Sequence, residues 1–448
     1  GSYSTADSYV KQVWDGRYTG IRMCNQLLEN IDRVPDLDPE LKKRYIGEAK
    51  VLRAYSYYEL YTKFGDIPYT TKVLSIKESM SIARTAKATV IANVLADLDE
   101  VINGNYLPTS YDADNKGRIT RWAAMAIKAK IYLFEGNWTQ VKNITSTIMT
   151  EGGFKLFGSY AGLFEIANEY NSEVILDAQY RPTSREHQMM YVFLPPTLGG
   201  YSQLSPLQEL VDSYIMLDGK TIKETGTSFD ESHPYANRDP RLKATVMYTG
   251  NSYTLADGTE VVINCEKGEG KDGYGVGSDC SATGYYIKKY WDNTYRATLY
   301  SGLNPILIRY ADILLMNAEA LAELGELQKT AWDATIKPIR DRAGFTLASA
   351  LEFPEGASKD KLIEIVRNER RSELALEGHR HKDIIRWRIA DNVLNGWCHG
   401  LKTNDVVGTD DGYVRVENRT FNANKHYLWP IPQAERDLNG NLEQNPNW

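Results

Sequence analysis

Cysteine is scarce in this sequence: four residues in 448, at Cys24, Cys265, Cys280 and Cys398, with no CxxC pair among them. That spacing excludes the usual zinc and dithiol frameworks. Cys265 and Cys280 flank a Gly-rich segment and could close a short loop in an oxidising compartment, or stand as two separate thiols. Basic residues are also in deficit, 52 Lys and Arg against 59 Asp and Glu, which leaves a net charge of −7. A nucleic-acid binder would instead show a basic domain, so no nucleic-acid partner is expected. No stretch of about 18 apolar residues occurs, so no helical span of a bilayer is expected. The chain opens Gly-Ser-Tyr-Ser, with neither a basic nor an apolar leader, and any export signal is expected to have been trimmed.

Tyrosine, by contrast, is abundant: 30 residues, against 10 Phe and 9 Trp. A ring with a polar handle suits half-wet surfaces, so this bias points to a large recognition surface. Apolar residues at 42 % and charged residues at 25 % are otherwise those of a folded chain.

Residues 9–150 read as helices in series. Ile21, Cys24, Leu28 and Ile31 recur on one helical face, as do Ile91, Val94, Leu98 and Ile102. Tyr45, Ala49, Leu52, Ser56 and Leu60 form a stripe in which small residues alternate with large ones. Trp122, Ala126, Ala129 and Leu133 repeat the pattern until Gly136-Asn137 breaks it, and Trp138, Val141 and Ile148 begin the next stripe. A helix, a Gly turn and a returning helix make the unit of an α-solenoid. The unit returns in Ala311, Leu314, Leu315, Ala318 and Leu321 up to Gly325, and in Trp332, Ile336 and Ile339 up to Gly344. A third helix is predicted through Leu362, Ile365, Val366 and Leu376 to Gly378. The rhythm is that of degenerate tetratricopeptide repeats.

Residues 155–304 differ. Short β-rich runs at Glu173–Tyr180, Leu242–Tyr248 and Val261–Asn264 alternate with Gly, Pro, Asn and Asp clusters. The predicted organisation is a single, mainly α domain with four parts: an N-terminal helical scaffold (1–154), an irregular, ligand-facing region (155–304), a C-terminal helical scaffold (305–391) and an irregular C-terminal segment (392–448).

Several motifs carry less than their pattern suggests. Gly268-Glu-Gly270-Lys-Asp-Gly273 matches GxGxxG, yet no helix is predicted after it to cradle a phosphate. Asp112-Ala-Asp114-Asn115 begins like an EF-hand loop, but Ala123 stands where the bidentate Glu belongs, and a polar turn is expected. His379 and His381 stand two apart on a predicted helix and cannot share a metal. Gly200-Tyr-Ser202 lacks the second Gly of a nucleophile elbow. No metal, cofactor or catalytic residue is therefore assigned. The charge ladder of residues 367–388 reads as an ion-pair network joining helices, since Arg forks suit interhelical carboxylates.

The aromatic cluster of the irregular region reads differently. Tyr285, Tyr286, Tyr290, Trp291, Tyr295 and Tyr300 are interleaved with Lys288, Lys289, Asp292, Asn293 and Arg296. Sugar rings show apolar C–H faces edged by hydroxyls, so they call for aromatic platforms beside amides, carboxylates and guanidinium groups. The predicted site is Trp291, Tyr290 and Tyr295 as platforms, Asn293 and Arg296 bridging hydroxyls, and Tyr274 and Tyr69 as outliers.

A family resemblance rests on the motifs. Leu52-Arg-Ala-Tyr55 leading to Phe64-Gly-Asp-Ile-Pro68, then Asn237-Arg-Asp-Pro-Arg-Leu, Ile308 to Ala320, Arg340-Asp-Arg-Ala-Gly344, Asn368 to Trp387, Tyr427-Leu-Trp-Pro-Ile-Pro-Gln and Asn439 to Pro446 resemble the SusD/RagB family in its order. The resemblance implies tetratricopeptide-like helix pairs under a loop-rich glycan face, and an outward-facing lipoprotein of the outer membrane of Bacteroidetes. It further implies a non-enzyme that captures oligo- or polysaccharide and passes it to a SusC-like TonB-dependent transporter. On this reading the membrane is touched only through an N-terminal lipid anchor. The lipid-bearing cysteine is absent, because Cys24 falls in a helix stripe, and Pro338 is expected to disturb a helix. The expectation for the interfaces is that the helices, with 311–324 as the test case, meet the transporter and the irregular region meets sugar. Two other readings fit the composition: an all-helical glycoside hydrolase or lyase using a carboxylate pair, and a helical-repeat protein scaffold.

Overall fold

Helices dominate the computed structural model, which describes residues 3–294 and 299–448. By internal packing the chain falls into two units: residues 1–152, 381–395 and 419–448 form the first, and residues 153–380 with 396–418 form the second.

In the first unit each long helix packs on the one before it: Ser8–Asn30 on Pro39–Phe64, then Lys87–Asn103, Arg121–Phe134 and Trp138–Glu151. Side-chain caps start four of them. Asp7 accepts from the Val10 amide, Asp38 from Leu41, Thr120 from Ala123 and Asn137 from Gln140, each filling an orphan donor of the first turn. Gly136, at φ +72°, supplies the left-handed turn between the last two helices. The predicted stripes are largely buried, as at Ile21, Val94, Leu98, Ala126 and Ile148.

Leu52 is a correction, being 47 % exposed while its neighbour Arg53 is buried. Arg53 donates to Asp97 at 2.6 Å and to Asn25 at 2.9 Å, so a polar contact rather than the apolar stripe sets how this turn faces. Residues 419–448 complete the unit. The Trp429 amide donates to the Lys63 carbonyl at 2.7 Å, and Asn445 Nδ2 donates to the carbonyls of Phe64 and Trp429 at 2.9 and 2.7 Å.

The second unit holds the helices Tyr310–Leu324, Ile336–Ala343 and Lys359–Glu373 together with the irregular region. Pro338 breaks nothing. The backbone turns at Thr335, so Pro338 sits in the first turn of a new helix, where its missing N–H has no intrahelical partner to lose. The Lys359–Glu373 helix ends earlier than predicted, and Leu376 lies beyond it, exposed, at φ +63°.

Among the described residues, four small sheets punctuate the unit. Val174–Asp177 pairs antiparallel with Ile306–Arg309, Val246–Met247 with Tyr286–Ile287, and Ser252–Thr254 with Glu260–Val262. Gly396–Lys402 joins Tyr413–Arg419 and Thr409–Asp410 in the fourth. Most of the predicted Leu242–Tyr248 strand is instead the helix Pro240–Thr245, capped by Asp239 with proline at its first position. Cys265 and Cys280 are both free, and burial pushes the Cys265 thiol up to about 12.

Candidate functional site

The densest polar cluster is shut inside the second unit. Glu373 accepts from Arg309 at 2.6 Å, from Arg241 at 2.8 Å and from Arg342. Arg309 also pairs with Glu173 and Glu377, Arg241 with Asp239 and Glu369, Arg340 with Glu369, and Lys289 with Glu377. Burial alone would raise the Glu377 carboxyl, but Arg309 and Lys289 override it and hold the group down at about 2. Burial lowers Lys289 to about 8 against the opposing pull of Glu377. Cations and carboxylates balance and their side chains are nearly inaccessible, so the network ties the late helices to the irregular region and exposes no acid–base pair.

Of the predicted platforms, Tyr290 is a correction. It is 4 % exposed, its ring lies 4.8 Å from Phe164, and its oxygen accepts from the Ile306 amide at 3.2 Å. Tyr285 and Tyr286 are buried likewise. Composition marked these rings as polar-edged, but their hydroxyls serve partners inside the protein: Tyr285 donates to Gln208 at 2.6 Å and Tyr286 to the Asp272 carbonyl at 2.6 Å.

Trp291 is half-buried. Its ring packs 5.1 Å from Tyr253, and its indole N–H donates to the Thr254 carbonyl at 2.8 Å. Asn293 is exposed. Tyr274 packs, half-buried, on the same apolar cluster as Trp291. Tyr69 belongs to the first unit, with its ring 4.7 Å from Tyr57. Tyr295 and Arg296 lie outside the described residues.

A different set of rings meets the solvent. The short helix Met189–Phe193 carries Tyr191, and Pro195-Pro196 open a 3-10 turn that Gly199 ends at φ +85°. The returning segment donates from the Tyr201 amide to the Tyr191 carbonyl at 2.9 Å and from Leu204 to Val192 at 3.1 Å. The two tyrosine rings therefore stack, centroids 4.2 Å apart and 26° between planes, with Tyr201 40 % exposed. Gly200 is required here, since a Cβ would lie 2.2 Å from the Leu194 oxygen.

Beside this stack, Gln188 Nε2 donates to the hydroxyl of exposed Tyr300 at 2.7 Å, and Leu299 reaches to within 3.9 Å of where a Gly199 side chain would begin. His187 pairs with Ser301 through both backbone hydrogen bonds, and Tyr180 sits edge-on to the His187 ring with Arg185 5.3 Å over its own. Pairwise contacts thus lead from exposed Tyr201 and half-buried Tyr191 to Gln188 with exposed Tyr300, and through the His187–Ser301 bridge to half-buried Tyr180 with Arg185. The sequence signal for them was the pair of tyrosines straddling Pro-Pro and Gly-Gly, read above only as a failed nucleophile elbow.

Other motifs stay inert. No helix follows the GxGxxG match, and Asp112 accepts from the Asn115 amide in a polar turn. Among the described residues no group of three or more His, Cys, Asp or Glu side chains gathers as for a metal ion, and no helix is long and apolar enough to cross a membrane.

The model described as the SusD family matches residues 163–448, which include the whole tyrosine surface. The chain belongs to the SusD family. A second family model, described as starch-binding associating with outer membrane, matches residues 2–133. SusD-like protein P25 of Formosa agariphila is 28 % identical over 409 residues, covering 86 % of this chain and 71 % of its own. A SusD-like carbohydrate-binding protein of Bacteroides fragilis has a solved structure with TM-score 0.88 and 29 % identity, over 99 % of this chain and 88 % of that one. A second SusD-like protein of Bacteroides fragilis gives TM-score 0.84 and 28 % identity, over 99 % and 87 %. The fold is thus the mainly α SusD-like one expected from the helix stripes and motifs.

Proposed function

We propose that this protein is a non-catalytic glycan-binding protein of the cell surface. Its ligand is an oligo- or polysaccharide held on the tyrosine surface of the second unit. The observation that carries this reading is the stack of half-buried Tyr191 on exposed Tyr201, near the Gln188–Tyr300 hydrogen bond. Flat rings with fixed orientation offer platforms for sugar C–H faces, and the neighbouring amide and guanidinium supply hydroxyl partners at the rim. The carbohydrate-binding relative in Bacteroides fragilis supports the ligand class. Asn293, exposed in the same unit, is a further hydroxyl partner in this proposal, and half-buried Trp291 contributes its free edge.

Delivery to a SusC-like TonB-dependent transporter, and an outward-facing lipoprotein anchored in the outer membrane, complete the proposal. The description of the second family model supports the location. The deciding experiment is affinity electrophoresis against a polysaccharide panel, with reducing-end release measured in parallel. Retention without release supports a binding protein, and release would establish an enzyme. Co-purification of the transporter with the tagged full-length lipoprotein tests the partner.

A further inference from the structure

Among the described residues, Arg44 and Arg121 of the first unit form no ion pair with a carboxylate, although Arg44 is near enough to help hold the Asp112 carboxyl down. Arg44, on the Pro39–Phe64 helix, and Arg121, at the start of the Arg121–Phe134 helix, line one concavity of about 540 Å³ together with Asn105 and Tyr106. A guanidinium carries about five N–H donors. Across these two, among the described residues, one hydrogen bond is made, from Arg121 Nη1 to Asn105 Oδ1 at 3.3 Å, and the Nε of each is closed to solvent without an acceptor. Rings rather than acids hold Arg44: its guanidinium carbon lies 5.6 Å from the Tyr45 centroid and 5.7 Å from that of Tyr111.

Elsewhere in the unit Arg53 has Asp97 and Arg118 has Glu48, while Arg22 and Arg84 donate to backbone carbonyls. Glu48 is consumed, accepting from Arg118 at 2.8 and 2.6 Å and from the Tyr111 hydroxyl at 3.3 Å. Two acids do stand in the wall, Asp38 and Glu40, both exposed. Asp38 is spent on capping the Leu41 amide at 2.8 Å, and neither forms an ion pair with Arg44 or Arg121 among the described residues. Lys43 adds a third cation, 5.6 Å over the Tyr106 ring.

We propose that this concavity binds an acidic saccharide unit, a uronate or a sulfate ester, through Arg44 and Arg121. The planar fork of Arg matches the paired oxygens of a carboxylate or sulfate. The volume lies within the range of about 300–1,000 Å³ usual for small-molecule sites. Tyr106 offers a ring and Asn105 an amide to the remainder of the sugar. The site is separate from the tyrosine surface of the other unit and stands or falls independently of it.

The test is calorimetry of the full chain at low salt with digalacturonate, glucose 6-sulfate and neutral galactobiose. Expected is binding of at least one acidic sugar and none of galactobiose at the same concentration. Arg44→Gln and Arg121→Gln each weaken it at least tenfold, Arg44→Lys restores part of the loss, and Glu40→Gln tightens binding by removing a like charge. Melting temperatures establish that each variant is folded, and Arg121→Gln alone decides the matter if Arg44→Gln is not. The proposal is overturned if no acidic sugar binds, if galactobiose binds equally, if both arginine variants keep full affinity, or if only an acidic peptide binds.

Discussion

Arg309 grips Glu373 twice, from Nη1 to the side-chain Oε1 at 2.6 Å and from Nη2 to the backbone carbonyl at 2.7 Å. The first bond neutralises a buried charge, and the second satisfies one of the carbonyls left free at the end of the Lys359–Glu373 helix, which Tyr160 also reaches. Because Arg241 and Arg342 reach the same carboxylate, neutralising it leaves three buried guanidinium groups one carboxylate short and the network with an excess positive charge. Glu373→Gln is expected to lower the unfolding free energy of the second unit by about 3–5 kcal/mol, the range for breaking a buried pair. Urea denaturation of the variant checks this, and an unshifted midpoint would contradict the reading.

Acid should undo the same network in a defined window. Glu377 titrates at about 2 in the folded protein instead of its ordinary 4.5, and Glu369 and Glu373 are displaced in the same direction. A depressed carboxyl contributes stability that is present above its unfolded value and is lost as pH falls through the folded one. Melting temperature is therefore expected to hold near neutrality and to drop between about pH 4.5 and pH 2. A flat profile across that window would count against the arrangement.

Two tyrosines in one unit should answer oppositely to truncation. Tyr290→Ala removes a buried ring and is expected to cost about 3–5 kcal/mol of stability, with no effect on sugar affinity that outlasts correction for unfolded protein. Tyr201→Ala removes an exposed stacked ring and is expected to leave stability nearly unchanged. It should weaken retention on the cognate glycan by about 0.5–1.5 kcal/mol, roughly two- to tenfold. Full retention by Tyr201→Ala on every glycan that the wild type binds would remove the surface from the site.

His399 gives a second pH signature. Its Nδ1 lies 2.8 Å from Glu209 Oε1 and its Nε2 3.0 Å from Asp410 Oδ2. Burial would lower the imidazole, yet the two carboxylates outweigh it and the ring titrates above its ordinary 6.5. A raised histidine contributes stability below its unfolded value and loses it as pH rises through the folded one. The wild type should therefore lose a small increment of melting temperature on going from pH 6 to about pH 8, the fields being partly screened by solvent. His399→Gln should abolish that slope.

The sequence disclosed the helices because their stripes and caps are local. Gly136 and Gly325 end helices at left-handed φ values that favour glycine, and Asn137 caps the start of the next helix. The ion-pair network was readable only by half. Arg370, Glu373 and Glu377 stand close together, whereas their partners at Glu173, Arg241, Lys289, Arg309 and Arg342 are dispersed along the chain, and only folding reveals which acid meets which base. The aromatic run failed for a related reason. Residue type tells that a tyrosine has a polar edge, not whether that edge faces water or, as at Tyr285 and Tyr286, an acceptor indoors. Tyr191 and Tyr201 escaped notice because their stacking depends on a tight reversal at Gly199 and Gly200.

The three-stretch composition of the first unit has a consequence for how the protein comes into being. Its five long helices are made early, yet the Gln433 amide donates to the Thr5 carbonyl, and Asn445 ties Phe64 to Trp429. Residues 1–152 are therefore synthesised well before the segments that complete their unit, which closes only once residues 381–395 and 419–448 have also been made.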